Sequence, residues 1–419
     1  MTNNEIIYKK SKYYSLDPLK KILIKCISDM EKNIDLRYYF ETIKAYLIES
    51  TNIVPLFKKD GISLETFDIH KILLNIKGCS NDEILERFLD GVNNEYGIRK
   101  KFKKFNMNVI IYSNINYKLE KNPNFINALS LFDLELFKFE DFNFENHESL
   151  NVEIKNSFNH KFLMFKYNSS ERDADVIKEK ALNEINAFFG YVSYINNFNS
   201  ISEKYSNTEF LLKYSLSDLK YSYMLLTDSN GEIYFPELFY EDVINSKSIY
   251  ESKFVSKLKD FQSIDFRRHD KKNILIKLKY YFSLYYTASV EPSLENSFMK
   301  FWALSEKIIK DSAGQITDEK LVEFMEKIWN LKRCPEYMGQ RIKLIKIKRN
   351  NFVHESKHGE IIQIDRNVLK IIAEKLISFI LEYMEVVNNF GEYSIILQYS
   401  NMKNKERFFE LVNSTDINN

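Results

Sequence analysis

The chain has 419 residues, 28% of them charged and 44% hydrophobic, with 60 Lys and Arg against 59 Asp and Glu. A net charge of +1 excludes a globally basic nucleic-acid binder, so any basic footprint has to be local. Three widely separated cysteines, Cys26, Cys79 and Cys334, with no CxxC, argue against a disulfide framework and a Cys-based zinc site and fit a reducing cytoplasm.

The length suits two domains or one large one. The N-terminus, MTNNEIIYKKSKYYS, has no apolar secretory run, and no window approaches the roughly 18 uninterrupted apolar residues of a membrane span. A cytoplasmic location without membrane attachment is therefore expected. Tyr (27) and Phe (33) are abundant and can act as base-stacking platforms. AT-rich codon usage accounts for them together with Asn, Ile and Lys, and their value is as core and strand formers.

Asp17 and Pro18 form an N-cap and first-turn pair that predicts helix over 17–50, in two apolar-periodic stretches. Two or three shorter helices are expected within 64–105. From about 107 the period changes. MNVIIYSNINYKL, LFDLELFKFEDFNF and LNVEIKNSFNHKFLMFKY are β-branched, aromatic and alternating, and predict a small antiparallel sheet. A helix is expected over 174–198, entered through Asp173. KYSYMLLTDSNGEIYF (220–235) predicts a hairpin turning at Ser229-Asn230-Gly231.

After DFRRHDKKN (265–273) everything reads as helix. The expected spans are 274–289, broken by Pro292 and Ser293; 294–312, ending near Gly314; and a third capped by Thr317 or Asp318. A fourth covers 337–357 and ends at Gly359. The last covers 366–388, capped by Asp365. Short connections predict a bundle. The expected fold is an α+β N-terminal region (1–265), an all-α bundle (266–400) and a C-terminal tail (401–419), mainly helical overall.

Residues 349–359 read RNNFVHESKHG, and His354 belongs to two patterns at once. Backwards it closes Arg349-Asn350-x-x-x-His354; forwards it opens His354-Glu355-x-x-His358. The first pattern, together with the upstream segment FWALSEKII (301–309) that carries Glu306, resembles the HEPN superfamily, and within it the Apea-like subgroup. The resemblance covers roughly 270–400. It implies a HEPN-type helical bundle that dimerises so that two Arg…His motifs face one cleft. It also implies RNA cleavage without metal, as in toxins and phage-defence ribonucleases, with an antitoxin or a phage-derived trigger as partner. No cofactor is implied.

The residues carry a reading of their own. On a helix, Arg349 shares a face with Ile342, Ile345, Phe352 and Val353. A guanidinium there needs a carboxylate or phosphate partner. Glu306 beside Trp302 is the expected protein partner, and an Arg349–Glu306 ion pair that only fixes helix register is the bland alternative. His354 falls on a polar stripe with Asn350, Lys343 and Lys346. Residues 341–349 hold five cations, Arg341, Lys343, Lys346, Lys348 and Arg349, and no acid. Arg341, Lys343 and Lys346 are candidate RNA contacts; a solvated face is the alternative.

The chemistry suits RNA, which carries its own nucleophile, the 2′-OH. Histidine accepts or donates a proton near neutrality. Arginine forks onto phosphate oxygens. The candidate catalytic residues are Arg349 and His354, with Asn350 and Glu306 in support.

The forward pattern is the rival. His354 and His358 at i and i+4 can share a zinc, with Glu355 as base. Lys357 between the ligands and Gly359 directly after them depart from that pattern, and a third ligand would have to be a residue such as Glu374 or Glu382. Elsewhere, acids near His147 in 134–148 read as polar strand faces, and Arg267, Arg268 and His269 as a solvated junction. No phosphate-binding glycine loop is present. A third class, a non-catalytic bundle that binds RNA or a protein, keeps the Arg…His pair for structure.

Overall fold

The computed structural model describes residues 6, 17–30, 32, 36–64, 67–101, 104–116, 120–137, 162–202, 219–227, 233–238, 272–331, 340–355, 361–384, 387 and 389–399. These form thirteen helices and five strands. In chain order they are α1 (Asp17–Met30), α2 (Arg37–Ser50), α3 (Ile53–Asp60), α4 (Ile69–Asn75), α5 (Ile84–Lys100), β1 (Phe105–Asn116), α6 (Pro123–Leu131), β2 (Leu134–Phe137) and β3 (Phe162–Glu171). There follow α7 (Ala174–Ser202), β4 (Tyr221–Thr227), β5 (Ile233–Leu238), α8 (Lys272–Ser289), α9 (Leu294–Ala313), α10 (Asp318–Leu331), α11 (Arg341–Glu355), α12 (Gln363–Tyr383) and α13 (Glu392–Tyr399). The molecule is mainly helical, with a small sheet between residues 105 and 238. No described helix is long and apolar enough to cross a membrane.

The chain divides into two compact units. The first comprises 1–109, 168–180 and 228–230, and the second 110–167, 181–227 and 231–419. The change of pattern near 265 lies outside the described residues. Most of the sheet region belongs with the C-terminal helices, not with the N-terminal ones.

The first unit is built on apolar residues at helical spacing. Leu19, Leu23 and Cys26 of α1 pack with Ile43 and Leu47 of α2 and Phe88, Val92 and Tyr96 of α5. Burial, helped by Asp29, pushes the Cys26 thiol up to about 11, so this cysteine is core material and not a nucleophile. Helix α3 was not anticipated. Its sequence, IVPLFKKD, has Pro55 in the first turn, where a missing N–H costs nothing. It ends at Gly61, φ +64°, where a Cβ would stand 2.0 Å from Glu171 Oε2. The left-handed φ favours glycine there. Asp173 does open α7: Oδ1 accepts from Asp175 N–H at 3.0 Å, and Oδ2 from Ser63 N–H at 3.2 Å.

The sheet order is β2-β3-β1-β4-β5, with β2–β3 and β4–β5 antiparallel. Leu134 pairs with Tyr167, and Tyr223 with Leu238. The hairpin expected over 220–235 is present as β4 and β5, and its turn lies outside the described residues. Central β1 is buried on both faces from Val109 to Ile115. Helix α6, PNFINALSL, just before the second run read as strand, was also not anticipated.

The core of the second unit is aromatic. Phe188 meets Phe125, Phe132 and Phe165 at 5.5–5.7 Å between ring centroids. Tyr191 and Tyr194 of α7 meet Phe282 of α8 at 5.3 and 5.7 Å. Gly190 lets the two helices approach: a Cβ on it would stand 1.8 Å from Phe282 O. Helix α9 packs against α8, α10, α12 and α13, and α11 against α10 and α12.

Helix α12 is buried on nearly every side, including Lys370 and Glu374. Those two stand 3.8 Å apart, and Tyr285 Oη donates to the Glu374 carboxylate. Asp365 caps α12, as expected, but from inside its first turn and not from the N-cap position. It occupies the third helical position, where Oδ2 accepts from Ile362 N–H at 3.1 Å. The helix ends at Tyr383, short of 388. The residues around His147, Arg267–His269, Gly359 and the tail 401–419 lie outside the described residues.

Candidate active site

Two helices of the second unit hold the candidate residues. Ser293 starts α9 by accepting from Asn296 N–H at 3.3 Å, and Gly314, φ +76°, ends it. Burial of Phe298, Phe301, Leu304 and Ile308 fixes its rotation. Trp302, Glu306 and Lys310 then follow at four-residue intervals on one face. Helix α11 is seated by Ile342 and Ile345, both fully buried and each contributing about 1.5–3 kcal/mol. Farther along, the face expected to be apolar opens: Arg349 and Phe352 are half-buried and Val353 is exposed.

Arg349 projects toward α9. Its Cζ lies 5.8 Å from the centroid of the Trp302 ring, a contact worth about 0.5–1 kcal/mol. Nη1 donates to Asn350 Oδ1 at 3.0 Å. Nε is buried and has no hydrogen-bond partner among the described residues. Among the described residues Arg349 forms no ion pair, so the expected Arg349–Glu306 bridge is absent. Glu306 is held elsewhere. Its Oε2 accepts from Trp302 Nε1–H at 3.0 Å, and its Oε1 accepts from Lys310 Nζ. His354 lies five residues on, in the last turn of α11. Its side chain, that of Glu355 and all of His358 lie outside the described residues.

The other four cations of α11 are engaged by carboxylates from neighbouring helices. Arg341 Nε and Lys348 Nζ each reach the fully buried carboxylate of Asp365, both at 2.7 Å. Lys346 Nζ donates to Glu319 Oε1 at 2.7 Å. That bond, with the lysine's charge, holds the Glu319 carboxyl below its ordinary value. Lys343, mostly exposed, stands 3.6 Å from Glu326. The basic stripe read from the sequence is thus largely a set of helix-to-helix contacts. Arg341 fits poorly as an RNA contact, because its partner is sealed from water. Lys343 and Lys346 sit in surface pairs that a phosphate can displace at little cost.

Sequence reading missed two participants. Lys310 was legible as the i+4 partner of Glu306. Trp302 as a platform for Arg349 was not, because it depends on how α9 and α11 meet. Among the described residues no group of three or more His, Cys, Asp and Glu is placed to hold a metal ion. Glu374, one of the two third ligands considered for zinc, is bound to Tyr285 in the core. No family model, curated protein or solved structure matches the chain.

Proposed function

We propose that the chain is a metal-independent endoribonuclease of the HEPN type, cleaving RNA by attack of the 2′-OH to leave 2′,3′-cyclic phosphate ends. One observation carries the reading: of the five cations in 341–349, Arg349 alone has no carboxylate among the described residues. A half-buried guanidinium resting on an indole, with a spare buried N–H, is suited to an anionic ligand. In this reading Arg349 grips the phosphate and stabilises the phosphorane. His354 moves the proton, and Asn350 fixes the guanidinium. One histidine per chain serves either the acid or the base step, so a homodimer supplies both. The stripe of α11 that carries Asn350 and His354 also carries Ile347, beside Leu344. Both are exposed, as a face covered by a second copy would be. The setting implied by the resemblance is a cytoplasmic toxin or antiphage effector acting in abortive infection, held by an antitoxin or released by a phage-derived trigger.

The test is cleavage of varied RNAs by the purified protein in EDTA, wild type against His354→Ala. The expected result is cleavage that survives EDTA, leaves cyclic phosphate ends and disappears in the variant. Products with 3′-OH ends, or activity restored only by zinc, would overturn the reading. A second reading, a non-catalytic module that binds RNA or protein, draws on the ion pairs that tie four of the five cations of 341–349 to other helices. It predicts no cleavage in any condition.

A further inference from the structure

Glu306 and Arg349 both contact Trp302, the carboxylate at the indole N–H and the guanidinium at the ring. Opposite charges flanking one buried side chain pair with each other unless one is held by something else. Here Glu306 is held. One oxygen is taken by Trp302 and the other by Lys310, whose ammonium neutralises it. The Lys310 side chain is 44% exposed and that of Glu306 21% exposed, so the ion pair sits at the surface, where charge pairs are easily broken. Among the described residues Arg349 keeps a buried, unpartnered Nε and no carboxylate.

We infer that Lys310 and Glu306 form a latch that governs the anion site at Arg349. With Lys310 charged, Glu306 stays on α9 and Arg349 is free to take a phosphate. When that charge is lost, Glu306 turns across the edge of Trp302 onto Arg349 and closes the site from within. Trp302 is the positioning residue that serves both states. The inference deepens the ribonuclease reading by adding regulation to its phosphate-binding residue. It requires only an anion site at Arg349 and not cleavage itself.

The test is calorimetric titration of the full chain with inorganic phosphate, run beside RNA cleavage. The variants are Lys310→Gln, Lys310→Arg, Glu306→Gln and the double Lys310→Gln/Glu306→Gln. Lys310→Gln is expected to weaken phosphate binding by at least about tenfold, the size of one charged hydrogen bond. Lys310→Arg is expected to bind as wild type does. The double variant is expected to recover wild-type binding, because a neutral amide does not compete for the guanidinium. A merely structural role for Lys310 would not be rescued by removing a second side chain. Unaltered binding in Lys310→Gln, a double variant as weak as the single, or no phosphate binding by wild type would each overturn the latch. The expected binding pattern without cleavage in any variant keeps the latch and overturns the ribonuclease reading. Cleavage that ignores Lys310→Gln does the reverse.

Discussion

Asp311 shows how single carboxylates tie this bundle together. It accepts from Lys307 Nζ at 2.8 Å and from Tyr281 Oη at 2.7 Å, and Lys277 Nζ stands 3.8 Å away. Burial pushes its pKa up, but the Lys307 and Tyr281 hydrogen bonds and the lysine charges outweigh it, and the net shift is down. A carboxyl with a lowered folded value binds fewer protons folded than unfolded just below pH 3.8, its ordinary value. Its contribution is therefore complete above that value and fades as the pH falls toward the lowered one. Asp311→Asn is expected to cost about 1–3 kcal/mol at pH 7, with a smaller difference from wild type at pH 3. Urea unfolding at the two pH values checks this; an equal difference at both would refute it. Asp311 is also a case of what sequence conceals. Lys307 at i−4 is visible in the sequence, whereas Tyr281 comes from another helix. Asp365 repeats the lesson, since its two cations lie 24 and 17 residues away. The five cations of 341–349 were legible as a basic run, but not which four of them pair with buried and surface acids, because helix packing decides which charges meet.

At the scale of elements, the long helices were legible because most carry apolar residues at helical spacing and most have a recognisable start or stop: Asp17-Pro18, Asp173, Ser293 and Thr317 at the starts, Gly314 at a stop. Short α3 and α6 have too few turns to show a period, and one opens with a proline that reads as a break. Glycine placement was also beyond the sequence. Gly190 and Gly97 both lie within helices, and pattern alone treats them alike. The structure separates them. Gly190 faces the Phe282 carbonyl, whereas a Cβ on Gly97 meets nothing within 4 Å. Gly190→Ala must push α8 away from α7 and is expected to destabilise by about 1–3 kcal/mol or more. Gly97→Ala, in α5, is expected to stabilise by roughly 0.5–1 kcal/mol. Denaturant midpoints of the two variants should move in opposite directions. A shift of the same sign in both would refute the close approach.

At the scale of the molecule, the described helices from Lys272 onward share one compact unit with described elements that precede residue 265. The second unit includes 110–167 and 181–227. Its first C-terminal helix, α8, depends on them. Tyr286 Oη donates to Leu219 O at 3.0 Å, and the Tyr286 ring meets Phe189 at 5.5 Å. Tyr285 meets Tyr194 at 6.3 Å, and Phe282 lies between Tyr191 and Tyr194. A fragment of residues 266–419 keeps Arg349, Trp302 and Glu306 but strips these aromatic rings of their partners. Each large ring so exposed forfeits about 1.5–3 kcal/mol, and a small domain has only about 5–15 kcal/mol in all. The fragment is therefore expected to show helical circular dichroism without a cooperative melt, to bind a hydrophobic dye, and to lack phosphate binding at Arg349. The full chain should melt cooperatively. A fragment that melts sharply and binds phosphate as the full chain does would show that the helices after 265 fold alone. The N-terminal residues would then be an appendage to the site and not part of what holds it in place.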